Sequence, residues 1–397
     1  MAPRSDRDVI RAARVVTPDG VIGPAAITLE DGLVTGVRTL PAGSPVPDRT
    51  IVPGFVDLQV NGIDDIDVAT AQGADWDRLD RRLLAQGVTT WYPTIISAPL
   101  DTYAEALGRI DAAAHRPPGA RPAIAGVHLE GPFLGTAVGV HSAAVVVPID
   151  GAWLARLPPL VRLVTLAPEA DGAPDAIRHL TANGVVVALG HSTASYEQAA
   201  AAVDAGARLV THLFNAMGPL HHRRPGLVGA ALADDRLAVS LIADAIHVHP
   251  ALLATVFRAK GAGRVVLVTD AVAWRAPSMA GLGVSVVDGA PRTPDGTLAG
   301  SVLTMDQALR TVVGAGVALV DAVTAASTTP ATVLGLADRG RIAAGLRADL
   351  VALSPALAVE AVWVTGEPAA ATVFRAPGPT GAAERAQSCR WRTEGQD

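Results

Sequence analysis

From Val52 to Ala271 the chain alternates short β-rich apolar runs with amphipathic segments, and this repetition limits the available folds more than any other feature. Eight runs can be counted: IVPGFVDLQVN from Ile51, TTWYPTII from Thr89, AIAGVHLEGP from Ala123, RLVTLAPE from Arg162, VVVALGHS from Val185, RLVTHLFN from Arg208, AVSLIADAIH from Ala238 and RVVLVTDA from Arg264. Between them lie helix-like stretches such as WDRLDRRLLAQG, PDAIRHLTANG and SYEQAAAAVDAG, closing in the glycine that commonly caps a helix. Repeated strand–helix units predict a parallel sheet, and eight of them predict an α/β fold of the (β/α)8 barrel type.

The flanks read differently. ARVVTPDG and AAITLEDGLVTGVRTL near the start, and GRIAAGLRADLVAL and VEAVWVTG near the end, are short strands joined by turn residues with no helical period. They predict a small β-sandwich assembled from both termini, residues 1–51 with 340–376, around a barrel of residues 52–339. Residues 377–397, rich in Gly, Glu and Arg, are expected to be disordered. A chain of 397 residues has room for both units, and aromatics at only 4% leave the core to Ala, Val, Leu and Ile.

A net charge of -6 and a pI near 5.9 provide no basic surface for nucleic acid. Cys389 is the only cysteine, which excludes an intramolecular disulfide or a thiolate metal cluster within one chain and fits a reducing cytoplasm. No secretory apolar stretch and no run long enough to span a bilayer is read in the sequence, so no membrane is expected as a partner.

Most runs turn polar where they end: Gln59 and Asn61, His128 and Glu130, His191 and Ser192, His212 and Asn215, Asp244 and His247, and Asp270. In a parallel barrel those ends share the face on which active sites are built. Polar residues that merely finish a strand would account for the Asn and Asp, but poorly for so many His and Glu. A catalytic metal site needs three protein ligands and an open position, and Glu130, His191 and His212 supply them from three strand ends. One divalent ion is expected, zinc first, although iron, manganese and cobalt accept the same ligands. Asp270 stands where a carboxylate could act as general base across the barrel. Gln59 and Asn61 occupy the place of a second metal's ligands and are expected to orient their neighbours, as is His128, two residues before Glu130 on the same inward face.

Lys260 is the only lysine and falls in a helical segment. A lysine-bridged metal pair is thereby excluded, and a Schiff-base aldolase is disfavoured.

Together PGFVDLQVNG, HLEGPFL, LGHSTA, THLFNAM, PGLVGAAL, IADAIHVHP, LVTDA and LAGSVLTM resemble the N-acetylglucosamine-6-phosphate deacetylase family of the amidohydrolase superfamily. HLEGP, THLFNAM and LAGSxLTM are jointly quite specific. The resemblance implies a metal on Glu130, His191 and His212, with Asp270 as acid and base. It further implies that His141, Asn215, Ala216, Arg223, His247 and the turn Leu298, Ala299 and Gly300 contact an amino-sugar phosphate, and that the chain forms a homodimer. Arginine's forked donors suit phosphate, though Arg223 lies in HHRRP, which reads equally as a solvated loop. The expected reaction is hydrolysis of the acetamide to glucosamine 6-phosphate and acetate. The rivals are an amidohydrolase acting on another N-acetyl sugar, N-acyl or cyclic amide, and a catalytically silent ligand-binding relative. Two loops differ from the family pattern, GTAVGVHSAAVVVP after HLEGPFL and VAWRAP after Asp270, and both border the expected substrate.

Overall fold

The computed structural model describes residues 8–276 and 283–369. Eight parallel strands form the barrel in sequence order: β1 (Phe55–Val60), β2 (Val88–Ile96), β3 (Val127–Glu130), β4 (Val161–Leu166), β5 (Val186–Leu189), β6 (Leu209–Val210), β7 (Ala238–Ile242) and β8 (Val265–Val268). β1 pairs with β2, and the remaining strands follow one another. The ring closes just beyond the named ends of β1 and β8, where Asp270 N donates to the Gln59 carbonyl at 3.0 Å and Asn61 N to the Ala271 carbonyl at 2.8 Å.

Each expected run contributes one barrel strand, and the run from Ala123 adds a two-residue strand, Ala123–Ile124, that also pairs with β2. The run from Ile51 is divided in two, because Thr50–Pro53 pairs with Leu350–Leu353 in a separate sheet before Phe55 enters the barrel. All six residues of β1 are buried, as a strand covered on both faces requires. The predicted helices are Asp75–Ala85, Ala173–Ala182 and Tyr196–Ala205. In the last of these, Ser195 Oγ accepts from Gln198 N while the Gln198 side chain accepts from Ser195 N, so two otherwise unpaired donors at the helix start are satisfied.

The terminal segments form two sheets. Asp8–Ala12, Ala25–Glu30 and Leu33–Thr39 make one, and a six-stranded sheet mixes Arg14–Thr17, Gly20–Ile22 and Thr50–Pro53 with Leu350–Leu353, Val359–Val364 and Glu367–Ala369. Ile10, Ile27, Leu29, Ile51, Leu350 and Ala352 fill the space between them, giving the sandwich its own core. The tail at 377–397, with Cys389, lies outside the described residues, as do 1–7 and 370–376 of the segments assigned to the sandwich. No helix among the described residues is long and apolar enough to cross a membrane.

Lys260 ends the helix Pro250–Lys260, which runs back from β7 toward the face opposite the strand ends. Its ammonium is buried against the Asp234 carbonyl at 2.7 Å, a structural position.

Gly54 joins the sandwich to the barrel, and a methyl group there would stand 2.1 Å from Thr89 Oγ1. Gly54→Ala should therefore lower the chemical-denaturation midpoint, with a loss on the order of 1–3 kcal/mol typical of overpacking.

Candidate active site

Three strand ends aim their side chains at one point. Glu130 Oε1 lies 3.0 Å from His191 Nε2 and 2.9 Å from His212 Nε2, and the two ring nitrogens are 3.1 Å apart. All three residues are at least 96% buried. Bonds of about 2 Å to a shared cation would place such atoms about 3 Å from one another, and one carboxylate with two imidazoles is a common catalytic donor set. A divalent ion gives each lone pair a partner, so these residues fit the group. Burial alone would raise the Glu130 carboxyl, but the hydrogen bonds from His191 and His212 hold it well below the usual carboxylate range.

Asp270 stands on the opposite side of the mouth. Asn61 Nδ2 donates to its Oδ1 at 2.7 Å, and Gln59 Nε2 bridges it at 3.1 Å to Glu130 at 3.0 Å. Two amides thus fix the carboxylate while leaving it without a cationic side-chain partner in those contacts. Burial, reinforced by the nearby Glu130 charge, pushes the Asp270 carboxyl above the usual carboxylate range. The orientations of Gln59 and Asn61 follow from this network, since only the NH2 of each amide can donate to a carboxylate.

His141 enters from the long segment after β3, its ring 4.3 Å from that of His191. Ser97 N donates to His141 Nδ1 at 3.3 Å and Ser97 Oγ stands 2.8 Å from the same atom, an arrangement that favours Nδ1 as acceptor with the neutral ring's proton on Nε2. Burial lowers His141 to about 3, which keeps the ring neutral. His247 is oriented by Asp244, whose Oδ2 is 2.6 Å from Nδ1, while Oδ1 accepts from the backbone of Ile246 and His247. His128 lies below this mouth, fully buried, its Nε2 2.8 Å from Thr165 Oγ1.

A cavity of about 360 Å³ opens over the cluster, within the size range of small-molecule sites. Asn61, His141, Asn215, Ala216, His247, Leu298 and Gly300 line it together with Glu130, His191, His212 and Asp270. Ala299 is buried behind the turn, packed with Val272. Gln59 and His128 are buried and do not line it. Arg223 does not line this cavity; it is exposed, with Nη1 2.8 Å from His222 Nε2. Sequence reasoning gave no role to Asp244, Ser97 or Arg292. Only Asp244 carried a readable signal, three residues before a histidine at a strand end.

This fold, with one buried Glu/His/His cluster and an aspartate at the end of the eighth strand, defines a barrel hydrolase of the metal-dependent kind. The chain belongs to the amidohydrolase family, whose model matches residues 50–371, and is a hydrolase acting on amide bonds. It is 38% identical over 373 residues to the N-acetylgalactosamine-6-phosphate deacetylase of Escherichia coli O157:H7, covering 90% of this chain and 98% of that one. With the N-acetylglucosamine-6-phosphate deacetylase of Bos taurus it shares 40% identity over 80% of this chain and 82% of the relative. A variant of the Mycobacterium smegmatis N-acetyl-D-glucosamine-6-phosphate deacetylase, solved in complex with N-acetyl-D-glucosamine-6-phosphate, superposes with a TM-score of 0.85. That match is at 34% identity and covers 92% of this chain and 99% of the other.

Equilibrium dialysis against a divalent metal should yield about one ion per wild-type chain, as one ligand set requires. Glu130→Ala and His212→Ala should each lose most of it, measured by elemental analysis of the folded protein.

Proposed function

We propose that the protein removes the acetyl group from N-acetylglucosamine 6-phosphate, using one divalent ion, zinc by preference, held by Glu130, His191 and His212. The observation that carries this reading is the buried cluster facing Asp270 across one sugar-sized cavity. Support comes from relatives at 38% and 40% identity that deacetylate amino-sugar 6-phosphates.

When bound, the ion supplies Lewis acidity, easing ionisation of water and polarising the amide carbonyl. Asp270, steadied by Asn61 and Gln59, takes the proton from the attacking water. The water oxygen bonds to the carbonyl carbon, and His141 offers its Nε2 proton to the oxygen on which charge develops. The C–N bond then breaks, and Asp270 returns the proton to the departing amine. His247, Asn215, Ala216 and the Leu298 to Gly300 turn bind the sugar phosphate around this centre. The same reading includes a homodimer in which Arg223, exposed and outside this cavity, serves a partner's substrate, and the single cysteine accords with the cytoplasm. The Escherichia coli relative favours a second reading, the galacto epimer, which differs in one hydroxyl configuration.

Acetate release should be fast from N-acetylglucosamine 6-phosphate and slower from both N-acetylgalactosamine 6-phosphate and the unphosphorylated sugar. Faster release from the galacto epimer would establish the second reading, and no release from any of the three would refute both. Asp270→Asn should reduce kcat by on the order of a hundredfold or more while retaining its metal; activity near wild type in that variant would remove Asp270 from the mechanism.

A further inference from the structure

We propose that Arg292 is the residue with which this chain recognises the phosphate of its own substrate; the inference rests on the sugar-phosphate reading above. Arg292 is the only lysine or arginine among the described residues lining the cavity. It is half-buried, and no carboxylate among the described residues lies within ion-pair distance of it. Many other arginines here do have such a partner: Arg78 with Asp65, Arg116 with Asp80, Arg236 with Asp234 and Arg347 with Asp349. A guanidinium kept partly out of water without a countercharge is costly, and an arriving anion removes that cost.

The backbone holds Arg292 in register with the reacting centre. The strand Ala290–Arg292 turns back on itself, with Thr293 N donating to the Thr297 carbonyl at 3.0 Å and Ala299 N to the Pro291 carbonyl at 2.9 Å. Arg292 Nη1 donates to the Gly296 carbonyl at 2.8 Å, which anchors one arm of the fork. Two residues beyond Ala299, Ser301 N donates to the Asp270 carbonyl at 2.9 Å, and Ser301 Oγ donates to the Thr269 carbonyl at 2.5 Å. The turn that carries Arg292 is therefore tied to the loop that carries the base. A neutral hydroxyl needs no fixed charge, whereas a phosphate dianion does, and the forked donors of arginine match its oxygens.

The test compares wild type with Arg292→Gln and Arg292→Lys in the metal-loaded enzyme. On N-acetylglucosamine 6-phosphate, Arg292→Gln should raise KM about tenfold or more, the scale of a lost charge-assisted hydrogen bond, with kcat little changed. Turnover of unphosphorylated N-acetylglucosamine should stay at its wild-type rate, and Arg292→Lys should recover part of the lost affinity. An equal loss on both sugars, or no loss on either, would overturn the proposal. Calorimetric titration with glucosamine 6-phosphate separates this from failure of the deacetylase reading. If wild type releases no acetate, a weakened isotherm in Arg292→Gln still supports the anion site, and an unchanged one refutes it.

Discussion

The site depends on how the barrel closes. A parallel sheet of eight strands has two edges until β1 meets β8, and here they meet through backbone hydrogen bonds at Gln59, Asn61, Asp270 and Ala271. Two of them, Gln59 and Asn61, also carry the amides that donate to the Asp270 carboxylate. Asp57, on β1 below them, accepts from Thr269 Oγ1 at 2.6 Å, and burial pushes its own carboxyl up to about 7. Closing the ring and positioning Asp270 are thus one event. Residues 209 positions apart reach 2.7 Å without a dedicated scaffold.

A second constraint operates just past the strand ends. His191, His212 and Asp270 all have left-handed backbone, with φ of 51°, 32° and 48°, although none is glycine. Such residues cost free energy and persist where their surroundings over-determine them. The determinants are visible at each position. Glu169 accepts from Ser192 Oγ at 2.6 Å and from Thr193 N at 2.8 Å, Ser240 Oγ accepts from His212 N at 2.7 Å, and Ser301 and Thr269 brace Asp270. Each of these residues lies two positions past a strand end, and its side chain lines the cavity.

The alternation of eight apolar runs made the barrel legible, because period and length survive in sequence when strands are buried on both faces. The Glu/His/His cluster was legible for a related reason: Glu130, His191 and His212 each follow an apolar run, and the fold converts that shared position into proximity. What could not be read is whatever depends on loops. Arg292 sits in a stretch of Pro, Thr, Asp and Gly that looks like any exposed turn, whereas Arg223, which stands among cationic neighbours, lies outside this chain's cavity. Charge density along a chain says little about which guanidinium faces a cavity. The division of the first run at Gly54 was hidden similarly, since Ile51 and Val52 are as apolar as β1 itself.

The sandwich has a consequence for the order of folding. In its larger sheet Arg14–Thr17 pairs with Thr50–Pro53, whose other edge is covered by Leu350–Leu353. During synthesis the first two segments emerge early and must then wait for roughly three hundred further residues before their neighbour exists. Throughout that interval Ile51 and Val52 expose an unpaired edge directly beside the first strand of the barrel. Every strand of the barrel is therefore synthesised before the sheet that precedes it can gain its last neighbours.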